Sequence, residues 1–170
     1  CTVFWNEETK KGGIVDPGGD LALLNKFIDE QGIEIEKILV THGHLDHAGS
    51  VRAMADERAI PIIGPHKDDK FWIDGMPDAA AQYGFPEALA FEPDQWLEHG
   101  DTVEVAGVQF DVVHCPGHTP GHVVFVQFDD KVSVVYICMY VCMHACMCLG
   151  TICLETGSAM GTDYYYYRYY

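Results

Sequence analysis

Apolar and polar positions alternate along the first 131 residues in short runs that change period. Thr2-Val3-Phe4-Trp5 and Gly13-Ile14-Val15 read as two short strands joined by the polar segment 6–11. Asp16-Pro17-Gly18-Gly19 is a turn signal, because proline fixes φ and glycine supplies dihedrals closed to other residues. Asp20 stands at the N-cap of a predicted helix in which Leu21, Leu24, Phe27 and Ile28 recur at helical spacing, and Gly32 suits the residue just past its end. Lys37-Ile38-Leu39-Val40-Thr41 predicts a buried strand, residues 50–58 a helix, and residues 60–63 a further strand. Residues 102–105, 108–114 and 122–128 predict three more strands, and Asp129-Asp130-Lys131 a polar turn before a return strand from Val132. Strands alternating with helices early, and strands alone later, imply an α/β layered domain.

That regularity stops abruptly. Residues 1–131 carry 24 of the 26 acidic groups and 9 of the 10 basic ones, whereas Val132 to Leu154 contain no Asp, Glu, Lys or Arg. Five of the seven cysteines (Cys138, Cys142, Cys146, Cys148 and Cys153) lie in that uncharged run, and eight of the nine tyrosines fall between Tyr136 and Tyr170. The chain divides into a body, residues 1–135, and an atypical Cys/Met/Tyr-rich tail, residues 136–170.

At 170 residues and 48% hydrophobic content the chain has the size and composition of one globular domain. Its net charge of −16 argues against a nucleic-acid partner, since a phosphate backbone calls for a basic surface. Neither a basic n-region nor an apolar h-region opens the chain, and a start on Cys1 is consistent with a fragment. The cysteines form no recognisable disulfide framework, so a reducing, cytoplasmic setting is expected.

The candidate chemistry is concentrated in two segments. Thr41-His42-Gly43-His44-Leu45-Asp46-His47 places three imidazoles and a carboxylate within six residues, directly after a predicted strand. His42 and His44 are two apart, so an extended backbone projects both rings to one side, and Gly43 permits a tight bend between them. Asp46 and His47 fall where a helix starts. The second segment, His114-Cys115-Pro116-Gly117-His118-Thr119-Pro120-Gly121-His122, also follows a predicted strand. His118 from this loop completes a three-histidine set with His42 and His44. Neutral imidazoles and carboxylates suit zinc, iron or manganese, and a three-ligand zinc keeps a position for water whose pKa it lowers to about 7. His122 reads as a supporting or packing histidine. His114, Cys115, His66 and His99 are expected to have no ligand role, Cys115 being placed by its strand end to pack.

His42-x-His44-x-Asp46-His47 followed by Pro116-Gly117-His118-Thr119-Pro120-Gly121-His122 resembles the metallo-β-lactamase superfamily. Within it, the similarity runs to the small single-domain bacterial proteins like glyoxalase II (hydroxyacylglutathione hydrolase), with Val15-Asp16-Pro17-Gly18-Gly19-Asp20, Ile63-Gly64-Pro65 and Phe71-Trp72 as further matching text. The resemblance covers residues 1–135. It implies an αββα sandwich with a two-metal site at one edge. His42, His44 and His118 would bind a first ion, Asp46 and His47 a second, and Asp46 would orient the attacking water in thioester hydrolysis. The implied cofactor is zinc, as one or two ions, with iron or manganese as alternatives.

The same pattern implies two ligands that this sequence does not supply. A Gly-Asp pair is due roughly fifteen residues past His122, its Asp bridging both metals, and a Gly-His much later. Tyr136-Ile137-Cys138 stands at the first of these, and no later residue restores either. The sandwich is therefore expected to be incomplete towards the C-terminus, without its second sheet. A single-ion His42/His44/His118 site stays chemically open. The leading function is thioester hydrolysis on a small-molecule substrate. It competes with other superfamily hydrolases (a lactonase or a β-lactamase) and with a non-catalytic truncated remnant that binds at most one metal.

Four readings of the tail compete. Val132 to Leu154 is long enough to span a membrane, though polar for a span. Cys138, Cys142, Cys146 and Cys148 with His144 are candidate soft-metal ligands without paired spacing. The tail is otherwise a divergent replacement for the second sheet, or read-through of repetitive DNA. The last is favoured because residues 136–148 can be encoded by codons that alternate pyrimidine and purine throughout. A tail unable to complete the sandwich would leave the first sheet's apolar face uncovered, with poor solubility and weak activity as the expected result.

Overall fold

The computed structural model describes residues 1–85 and 88–129, and beyond them the backbone of strands 132–136, 157–159 and 162–168; side chains are described as far as residue 127. The chain opens with a β-hairpin, β1 (Thr2–Asn6) and β2 (Lys11–Val15), followed by helix α1 (Leu21–Gln31) and strand β3 (Glu34–Leu39). Helices α2 (Leu45–Ala48) and α3 (Val51–Arg58) lead to the short strand β4 (Ile62–Ile63). A 3-10 turn (Lys67–Asp69) then precedes helices α4 (Lys70–Asp74) and α5 (Met76–Tyr83). Four strands follow: β5 (Thr102–Val105), β6 (Val108–His114), β7 (Val123–Asp129) and β8 (Val132–Tyr136). The tail supplies β9 (Gly157–Ala159) and β10 (Thr162–Arg168).

These strands build two sheets, one in the order β4-β3-β2-β1-β10-β9 and the other β5-β6-β7-β8. β2, β3 and β4 run parallel; β1 is antiparallel to both β2 and β10. The second sheet is antiparallel throughout, as its hairpin connections require.

Side chains along the first sheet alternate between two cores, because successive Cβ atoms of a strand point to opposite faces. Val3, Trp5, Ile14 and Ile38 meet Leu24 and Ile28 of α1, Val51 and Met54 of α3, Ile73 of α4 and Met76 of α5. Phe4, Val15, Leu39 and Ile63 meet the second sheet through Val103, Val105, Phe110, Val112 and Phe125. Phe4 and Phe110 touch edge to face with centroids 5.4 Å apart, locking sheet to sheet. One helical layer and two sheets are thus described; no second helical layer of an αββα sandwich is found among the described residues.

Several expectations need correction. The second sheet is present, and it covers the first sheet's other apolar face, because residues 102–136 are enough to build it. The strand expected at 37–41 starts earlier and ends at Leu39, and that expected at 60–63 is two residues long, Ile62–Ile63. Asp20 does precede α1, but in a left-handed conformation (φ 51°) and without a side-chain cap bond. Gly32 ends the helix in the left-handed conformation expected of it. Cys115, expected to pack, is exposed. The start of the uncharged run is β8, while Cys138, Cys142, Cys146, Cys148 and His144 lie outside the described residues. Among the described residues no helix is long and apolar enough to cross a membrane.

Candidate metal centre

The parallel strands β2 and β3 end side by side, and the residues that follow them form one rim. Asp16 follows β2, and Thr41 to His47 follow β3; the Asp16 N–H donates to the Leu39 carbonyl at 3.0 Å. The β6–β7 connection reaches the same rim. Its register is held by the Val123 N–H, which donates to the Thr41 carbonyl at 2.9 Å, so the second sheet delivers His118 and His122 to the ends of the first. Crevices at the carboxyl ends of parallel strands are where layered α/β folds collect ligands.

At this rim the rings of His42, His44 and His118 converge. Centroid separations are 4.9 Å (His42–His44), 4.8 Å (His42–His118) and 4.6 Å (His44–His118), and His44 Nδ1 lies 3.1 Å from His118 Nε2. One ligand-type atom from each residue lies within 4.8 Å of the other two. A second group with the same spacing joins His42 to His47 and Asp16. Asp46, on the first turn of α2, is exposed, with Oδ2 3.6 Å from His47 Nε2; it belongs to neither group.

Hydrogen bonds set the tautomer of His42. The Thr41 hydroxyl donates to Asp16 Oδ2 at 2.6 Å, so its oxygen is left to accept from His42 Nδ1 at 2.9 Å. His42 Nε2 is then an unprotonated lone pair, fully buried and without a hydrogen-bond partner. An orphaned acceptor of this kind is costly unless something electrophilic meets it. A ring whose outer N–H is anchored through a hydroxyl to a carboxylate is the support that metal-ligating histidines show, so the donor set fits a metal ion. Burial pushes the His42 pKa down to about 2 and also lowers those of His44, His118 and His122, keeping the rings neutral for ligation. Burial works against the Asp16 carboxylate. Its hydrogen bond to His47, the neighbouring imidazoles and the Thr41 hydroxyl outweigh that and hold its pKa below the usual carboxylate range.

Three contributors escape a reading of the sequence. Asp16, which reads in the sequence as a turn residue and as part of the family-like text but with no role at the site, accepts from the Thr41 N–H at 2.7 Å and bonds His47 Nδ1 at 2.9 Å. Asp69, fully buried, accepts from the Gly43 N–H (2.9 Å), the Thr119 hydroxyl (2.7 Å) and the Gly121 N–H (2.6 Å), and so ties the two histidine loops together. No local signal marks it, since its partners are 26 to 52 residues away. Trp72, exposed, sets its ring edge-on to that of His44 with centroids 4.6 Å apart, and reads in the sequence only as family-like text. His122, expected to support or pack, is buried with Nε2 unpartnered and its ring 5.2 Å from that of His42.

Two sheets that bring histidines from separate loops to one edge define a class of metal-binding α/β sandwich. The chain belongs to the metallo-beta-lactamase superfamily, whose family model matches residues 1–135. It is 37% identical over 134 residues to hydroxyacylglutathione hydrolase GloC of Haemophilus influenzae, covering 78% of this chain and 63% of that protein. The chain thus spans about three fifths of that relative's length. Among solved structures it is similar to the BLEG-1 B3 metallo-beta-lactamase (31% identity, TM-score 0.65, 74% of this chain and 60% of that one). It is also similar to TTHA1623 in a di-iron-bound form (32% identity, TM-score 0.60, 68% of this chain and 56% of that one).

Proposed function

We propose that this chain carries the centre of a metal-dependent hydrolase that cleaves a thioester of the hydroxyacylglutathione type. The observation that supports this most is the buried, partnerless Nε2 of His42 within a ring of neutral imidazoles. The likeness to GloC supplies the substrate class. His42, His44 and His118 would hold the first ion; His47, with Asp16 or Asp46, would serve a second. Zinc is the proposed ion, with iron the alternative that the di-iron form of TTHA1623 suggests. Such an ion supplies a Lewis acid and a water acidified to near neutrality.

The protein's own part is orientation and proton handling. Thr41 and Asp16 fix the His42 ring, and Asp69 holds both histidine loops at a constant separation. Asp46, solvent-facing beside His47, would orient the attacking water and take up its proton. Trp72 would exclude water on the His44 side of the opening and offer apolar contact to the acyl group. The reading takes residues 1–135 as the functional unit, a small-molecule thioester as partner and a cytoplasmic setting.

A second reading, a remnant that binds one ion and does not turn over, is favoured by one observation. Asp46 stands outside both close-packed groups, and Asp16 already bonds His47. Metal content and thioesterase activity on a hydroxyacylglutathione, measured on the same preparation, separate the two. Two equivalents with turnover support the hydrolase; at most one equivalent without turnover supports the remnant.

A further inference from the structure

One pair of surface aromatic side chains is built directly against the candidate metal centre. Phe71 and Trp72, adjacent on α4, are 55% and 41% exposed, and their rings lie together with centroids 5.0 Å apart. Large apolar side chains left in solvent as a group mark a place where apolar matter is bound. The Trp72 ring also meets that of His44 edge to face, with centroids 4.6 Å apart.

Two contacts hold this pair in register with the ligand loop. Gly43, between His42 and His44, lies under Trp72: a Cβ on Gly43 would come within 2.8 Å of the Trp72 Cβ. Asp69, the residue before α4, accepts from the Gly43 N–H at 2.9 Å. A binding surface carried on a helix pinned in this way keeps its geometry better than one on a free loop. α4 supplies no cation for a charged ligand, because Lys70 Nζ is held by Asp74 at 2.8 Å and by Glu92 at 3.0 Å. What the helix offers beside His44 is therefore apolar contact.

The inference rests on the hydrolase reading above. There the thioester carbonyl is attacked at the centre, so the acyl substituent on that carbon starts beside the ligand rings, and Trp72 is an exposed apolar ring that touches one of them. We propose that Phe71 and Trp72 are specificity-determining residues that receive the acyl group, and that this group is bulky and aryl-bearing rather than small and aliphatic. An aryl ring meets both side chains in offset or edge-on contact, which a methyl group is too small to make.

Two glutathione thioesters that share the thiol and differ in the acyl group test this: that of mandelate, which carries a phenyl ring, and that of lactate, which carries a methyl group. On the Zn²⁺-loaded full chain, kcat/KM is expected to be higher for the phenyl ester. Trp72→Ala should cut the phenyl-to-methyl ratio about tenfold, the upper range for aromatic contact. Phe71→Ala should lower it less, and Trp72→Phe should largely restore it. A merely structural loss would slow both esters alike and leave the ratio unmoved. A second readout needs no turnover. In the ¹⁵N-tryptophan-labelled chain, the indole N–H signal that Trp72→Phe removes should shift on titration with mandelate and not with lactate. A ratio unchanged in Trp72→Ala, or a preference of the unmodified chain for the methyl ester, overturns the inference and leaves the hydrolase reading standing. Absence of turnover with both esters overturns the hydrolase reading, and the indole signal then decides the apolar site alone: a shift with mandelate supports it, and no shift ends it.

Discussion

Asp69 shows how much a single buried side chain can govern at this site. Its carboxylate takes three donors from two loops that each carry a candidate ligand. Asp69→Asn keeps the shape but turns an NH₂ group towards one of those donors, so the loops must part locally. Metal affinity is expected to fall about 10- to 100-fold, the range typical of lost outer support, with the chain still folded; a competition titration against a chromophoric chelator measures it. Titration of the buried rings gives a second expectation. In the folded chain His42 is held down to about 2, and an unfolded histidine titrates near 6.5. Above pH 6.5 neither state binds the proton and stability is unaffected. Below it only the unfolded chain does, so the metal-free protein should lose up to about 1.4 kcal/mol per pH unit from this ring. His44, His118 and His122 act in the same direction. Urea midpoints of the metal-free chain should be level above pH 7 and fall progressively below 6.5; a midpoint constant down to pH 5 would contradict the burial of these rings.

At the scale of elements, the site depends on close approach between loops more than on any one strand. The turn after β2 lies directly against the start of α2: a Cβ on Gly18 would overlap the Asp46 carbonyl, and the Ser50 N–H donates to the Pro17 carbonyl at 3.0 Å. Gly18→Ala should therefore push Asp16 away from Thr41 and His47. A loss of about 1–3 kcal/mol in unfolding free energy is expected, the usual cost of overpacking, together with weakened metal binding. Chemical denaturation and metal titration of the variant check both, and an unchanged protein would show that the two loops do not need this contact. The predicted strands at 102–105 and 108–114 form as expected because their alternation matches a half-buried hairpin. Helices α4 and α5 gave no such signal. Their apolar residues are not confined to one face: Phe71 and Trp72 stay exposed, while Ile73, Met76 and Ala80 become core only when the first sheet is beneath them.

For the molecule as a whole, the two cores on either side of the first sheet depend on β1, which presents Val3 and Trp5 to the helices and Phe4 to the second sheet. β10 borders it, with register pairs from Thr2↔Arg168 to Asn6↔Tyr164. Ending the chain after Val135 would expose β1 as a sheet edge, a ready template for pairing with other chains. The shortened chain is expected to self-associate more than the full one, seen as a larger species by size-exclusion chromatography with light scattering. Equal behaviour would mean that β10 does not protect that edge. What the sequence determined by itself is local and periodic. Alternation set most strands, a glycine closed α1, and the clustering of His42, His44, Asp46 and His47 marked a metal-type loop, because each signal sits within a few neighbouring residues. The expectation that His118 joins His42 and His44 came from the sequence, but tertiary structure alone decided that Asp16 rather than Asp46 bonds His47 and that Asp69 joins the two loops. Such pairings span tens of residues, and only the docking of one sheet on the other brings them within hydrogen-bonding distance.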